Sequence, residues 1–72
     1  MLSEPEALRL LYELCVRLGF CLPSREELRL KQNPPSDAKA FTDAVLITEG
    51  LDPATAPRHL YRQVRDTVAA AY

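Results

Sequence analysis

The stretch SEPEALRLLYELCVRLG, residues 3–19, decides the fold. Ser3 and Glu6 have the spacing of a capping box, in which hydroxyl and carboxylate each accept from a backbone N–H at a helix start. Glu4 and Glu6 also suit the positive end of the helix dipole. At 100° per residue, Glu6, Arg9, Glu13 and Arg17 fall in one sector about 80° wide. Ala7, Leu8, Leu10, Leu11, Tyr12, Leu14, Cys15 and Leu18 cover roughly 200° of the other side, against the ≳100° stripe of an ordinary surface helix. The spacing therefore predicts a helix over about 4–18, packed on two sides. Gly19 supplies the left-handed residue that ends it, and Pro23 prevents early resumption.

Three further helices follow outward from this one. Ser24 and Glu27 repeat the capping-box spacing, with Pro23 and Leu28 placed for a hydrophobic staple, so a short helix is expected over about 25–31. Asn33-Pro34-Pro35 stops it at about two turns, because the prolines lack donors and push the preceding residues out of helical geometry. Ser36 or Asp37 can cap a third helix over about 37–49. Its expected apolar face is Ala38, Phe41, Ala44, Val45 and Thr48, with Ala40 and Ile47 at the margin and Leu46 outside. Gly50 ends it, Asp52-Pro53 reads as a turn, and Pro57 suits the first position of a fourth helix over about 57–71. That helix is expected to bury Leu60, Tyr61, Val64, Val68, Ala71 and Tyr72. Ala44–Thr48 is β-like in composition but fits the helical period better. The expectation is an all-α compact bundle of three longer helices plus one short helix, a single domain over 1–72, with helix 1 central.

Composition agrees with a folded chain. The 72 residues are 47% hydrophobic and 26% charged, far from the composition that keeps a segment disordered. Nine Lys+Arg against ten Asp+Glu leave a net charge of -1, so no global positive field draws the molecule to nucleic acid or an anionic membrane. Apolar runs fall far short of the ~20 residues that span a bilayer, and the acids at Glu4 and Glu6 do not make a basic leader. A soluble cytoplasmic protein is expected, with no membrane partner. Seven Arg against two Lys and nine Ala are a bias that suggests a bacterial source.

Chemistry-bearing residues are few. Cys15, Cys21 and His59 are the only soft or imidazole ligands, one fewer than a structural zinc site takes, and the cysteines lack C-x₂-C spacing. Two cysteines so close in sequence do not make a secreted disulfide framework, and a reducing compartment is expected. Cys15, in the middle of the apolar arc, is expected as a core filler, and Cys21 at the core or its boundary. Cys21 lies just past the helix end, where fraying would let it reach Cys15. No G-x-S-x-G, HExxH or Gly-rich phosphate loop occurs, and two glycines cannot build a phosphate cradle. Asp37, Asp43, Glu49 and Asp52 lack the spacing of a calcium loop. No catalytic, cofactor or metal residues are assigned, and no enzyme activity is expected.

Two features point to contacts with other molecules. Arg58, Arg62 and Arg65 follow i, i+4, i+7 on helix 4 and form a ridge beside Tyr61, with Arg62 and Asp66 spaced for an ion pair. Arg and Tyr are enriched in interface hot spots. The over-wide apolar surface of helix 1, together with Leu46, needs cover, from the chain's own helices or from a homodimer partner or another protein. The leading expectation is a non-enzymatic protein–protein interaction module that can self-associate, with Arg58, Tyr61, Arg62 and Arg65 as its polar contact ridge. The alternative is a DNA-binding regulator using helices 37–49 and 57–71 as a helix-turn-helix-like pair, its arginines on guanines or phosphates. Against it stand a turn longer than the 3–4 residues of that motif and an acidic first helix.

Overall fold

In the computed structural model, which describes residues 2–72, four helices follow one another: α1 (Glu4–Leu18), α2 (Ser24–Gln32), α3 (Ala38–Thr48) and α4 (Arg58–Ala69). The chain is all-α, as its periodicity predicts, and the bounds agree within the one or two residues by which helix ends fray. The Ser3–Glu6 capping box is closed: the Glu6 amide donates to Ser3 Oγ at 3.4 Å and the Ser3 amide to Glu6 Oε1 at 3.1 Å. These bonds hold the Glu6 carboxyl below its ordinary pKa of 4.5, the Ser3 hydroxyl first and its amide second. Gly19 is left-handed (φ 77°), and Phe20 then turns back to donate its amide to Leu14 O at 3.1 Å.

The second capping box does not form. Pro23, in extended geometry, is the N-cap of α2, and no side chain caps it. The Glu27 amide, which Ser24 would have needed, already donates to Pro23 O at 2.9 Å. Leu28 is exposed, so the expected staple is not made either. Asp37, not Ser36, caps α3 through a bond from the Ala40 amide at 2.7 Å. Gly50 (φ 80°) ends α3 in a Schellman motif, with the Leu51 amide on Leu46 O at 2.9 Å and its own on Ile47 O at 3.0 Å. Pro57 is the N-cap of α4 and not its first residue.

In space α1 lies between α2 and α4, and α3 packs mainly on α4. One core of buried side chains joins Leu2, Ala7, Leu10, Leu11 and Leu14 to Phe20, Leu30, Phe41, Val45, Leu46, Val64 and Val68. The Phe41 ring meets Tyr72 edge-on, centroids 6.2 Å apart, and the Tyr72 hydroxyl donates to Pro35 O at 2.8 Å. The Cα radius of gyration, 10.8 Å, is what a globule of this length should have, about 11 Å.

The face of α3 is a correction to the sequence expectation. Leu46, expected outside, is fully buried, and Ile47 is 62% exposed. Thr42 is the reason. Its hydroxyl donates to Ala38 O at 2.8 Å, which satisfies the polar atom and lets the side chain enter the core. The buried face is therefore rotated toward Thr42 and Leu46 and away from Ile47.

Candidate functional site

The apolar arc of α1 is only half covered. Ala7, Leu10, Leu11 and Leu14 are buried, while Leu8 (44% exposed), Tyr12 (67%) and Val16 (59%) remain in solvent. Positions 8, 12 and 16 are spaced i, i+4, i+8, so they form one row along the helix. Leu28 of α2 is exposed as well. Between the two helices runs a groove of about 460 Å³ whose lining includes Pro5, Leu8, Leu11, Tyr12, Cys15 and Cys21, with Arg9 and Glu27 as charged members. Its far edge is polar, where Arg9 Nε lies 3.9 Å from Glu13 Oε1. Isolated apolar side chains on a surface are ordinary, but a contiguous row beside an apolar groove is the usual mark of an interaction site. Helix 1 is thus packed on two sides, by α2 and α4, and still leaves a third face bare.

The cysteines depart from expectation. Cys15 is half-buried and not a core filler, and Cys21 is exposed. The two are joined as a disulfide with Cα atoms 4.3 Å apart. Fraying is not needed for this. α1 stays helical through Leu18, and the left-handed Gly19 turns the chain back along the helix. With both sulfurs bonded there is no free cysteine among the described residues, and no three His, Cys, Asp or Glu side chains gather there in a metal-binding group.

The α4 ridge is partly tied into the fold. Tyr61 is half-buried, and its hydroxyl donates to Asp43 Oδ1 of α3 at 3.0 Å. Burial first, then this bond and the Asp43 charge, push the phenol above its ordinary pKa of 10.0. Asp43 also accepts from Lys39 Nζ at 2.7 Å. That bond, followed by the charge of Asp43, raises the ammonium above 10.5. Arg58 and Arg62 are exposed, and Arg65 Nη2 reaches Asp66 Oδ1 at 3.2 Å. Asp66 therefore pairs with Arg65 and not with Arg62, an exchange that costs little between side chains this open to solvent. All four ridge residues line a shallow groove of about 320 Å³ against Pro53, Ala54 and Ala56. The structure thus brings Arg58, Tyr61, Arg62 and Arg65 together on one surface, with an acidic group of α3 at its edge. His59 is exposed.

Leu46, the other feature taken as needing cover, finds it in the core. Val16 and Leu28 belong to the bare face, although the helical projection did not single them out for one. Val16 sits beside Arg9 at the polar margin, and Leu28 was assigned to a staple. The chain between α3 and α4, residues 49–57, is longer than a helix-turn-helix turn. Among the described residues no helix is long and apolar enough to cross a membrane. No protein-family model, no curated protein and no solved structure matches this chain.

Proposed function

We propose that the chain is a non-enzymatic protein-interaction module that self-associates, pairing the bare face of α1 with the same face of a second copy. The observation that carries this is the exposed row Leu8, Tyr12, Val16 beside an apolar groove. Charge placement favours a second copy as the occupant. In a twofold-symmetric antiparallel pair, residue i of one copy opposes residue j of the other and the reverse. The apolar row is centred on Tyr12 and the Arg9–Glu13 pair on residue 11. One axis near that level therefore stacks the apolar rows and sets Arg9 of each copy opposite Glu13 of the other. Within a single chain these two groups make only a long contact of 3.9 Å, with Arg9 83% exposed, so little is lost when they exchange partners.

Sedimentation velocity over a concentration series tests the proposal, with a labelled random-sequence duplex present. The expected result is a concentration-dependent rise from the 8.1 kDa monomer to twice that mass, independent of the duplex. Tyr12→Ser, which changes an exposed side chain and leaves the core intact, is expected to weaken association by about tenfold or more, as loss of an aromatic hot spot does. A single monomer boundary at every concentration would refute the proposal. Co-sedimentation with the duplex, lost as salt rises and abolished by replacing Arg58, Arg62 and Arg65 with Ala, would favour the DNA-binding alternative instead.

A further inference from the structure

The disulfide stands in the wall of the groove that the proposed pairing would cover. Cys15 and Cys21 line it together with Leu8, Leu11 and Tyr12, and Cys21 is exposed in the folded chain. We infer that Cys15–Cys21 is a thiol–disulfide exchange site, opened by a dithiol without unfolding, whose state sets the strength of pairing through α1. The exchange stands on the groove alone, and its coupling to assembly rests on the self-association proposed above. A thiolate of the dithiol attacks Cys21 Sγ, the more open sulfur. A mixed disulfide forms on Cys21, and Cys15 leaves as a thiolate that takes up a proton. The second thiolate of the dithiol then displaces Cys21, which is also protonated. The protein gains two electrons and two protons, and the dithiol becomes its own cyclic disulfide.

Opening the bond changes the groove for a steric reason. With Cα atoms 4.3 Å apart, two unbonded thiols cannot keep the positions of two bonded sulfurs and must swing apart. Cys15 is held by α1, so the movement falls on Cys21 and the turn 19–23, next to Leu11 and Tyr12. The rest of the turn stays anchored, because Phe20 is buried in the core and its amide is bonded to Leu14 O. Linkage works in both directions: if the closed disulfide favours pairing, pairing protects the disulfide by the same factor.

The test uses the full chain and dithiothreitol as the dithiol, following thiol release, helical circular dichroism and sedimentation. Both thiols are expected to appear in the absence of denaturant, more slowly as protein concentration drives pairing. The reduced chain is expected to keep its helical signal and to associate about tenfold more weakly, within the range usual for coupled sites. Cys15→Ser/Cys21→Ser is expected to match it. Thiols that appear only where urea unfolds the protein, or a reduced chain without helical signal, would overturn the exchange site. Dissociation constants that agree within twofold between the two states would overturn the coupling. A chain that is monomeric in both states yet opens in the folded form would refute self-association, and the coupling with it, while supporting the exchange site.

Discussion

Leu46 and Ile47 are chemically near-identical neighbours with opposite fates, and replacing each in turn by Ala tests the packing of α3. Leu46 is fully buried in the cluster that joins α1, α3 and α4. Leu46→Ala removes three carbons at about 0.8 kcal/mol each. The unfilled space adds a cavity penalty, which brings the expected loss to about 3–5 kcal/mol. Ile47 is 62% exposed, so Ile47→Ala gives up only a minor share of buried area, and the better helix propensity of Ala offsets part of it. The expected change is within about 0.5 kcal/mol. Urea unfolding of both variants at one pH provides the assay, with the slope held common. At a slope near 1 kcal/mol/M for a chain this small, the two midpoints should differ by at least about 2 M. A domain of this length has about 4–11 kcal/mol in all, so Leu46→Ala leaves a marginal but measurable fold. Equal losses for the two variants, or a larger loss for Ile47→Ala, would refute the rotation of the α3 face and the role given to Thr42.

Three further outcomes follow from the structure. Gly50→Ala places a Cβ at φ 80° with nothing within 4 Å of it, so the loss is conformational and should be about 1–2 kcal/mol; an unchanged urea midpoint would contradict the Schellman end of α3. Reducing the disulfide frees a loop of sequence separation 6. Chain entropy then sets the loss of stability at about 2 kcal/mol, and no difference between oxidised and reduced melts would argue against the bond in the folded chain. At alkaline pH the direction is set by Tyr61, whose phenol is raised above 10.0, by burial first and by Asp43 next. The stability it contributes is fully present below the ordinary value and is lost as pH rises through the raised one. Tyr61→Phe should therefore flatten the fall of the urea midpoint above pH 10, and a parallel fall in both proteins would remove Tyr61 as its cause.

How much of this was legible in the sequence depends on the range of the physics involved. The ends of α1 and the start of α3 are local: Ser3, Glu6, Gly19, Asp37 and Gly50 act within one turn of their own position, and their types alone name the boundaries. The apolar stripe of α4 is nearly as plain, because its arginines and its valines fall on opposite sides. Ser24 shows where a local signal fails. Its spacing to Glu27 was correct, but a carbonyl one residue earlier took the same amide.

What needed the tertiary structure was the identity of covered and uncovered faces. An apolar arc of roughly 200° on α1 says that two or more surfaces are in contact with something, and only the positions of α2 and α4 decide that Leu10 and Leu14 are inside and Leu8, Tyr12 and Val16 outside. Thr42 looks polar in a sequence and is apolar in effect once Ala38 O accepts its hydroxyl, which moves the whole face of α3 by one residue. The cysteines looked like separate packing residues until the left-handed turn at Gly19 folded Cys21 back onto Cys15. The sequence by itself determined that four helices form and where each begins and ends, because capping, proline and glycine act on neighbouring residues. Which faces those helices spend on each other, and which face of α1 they leave bare, was decided by packing between residues distant in the chain.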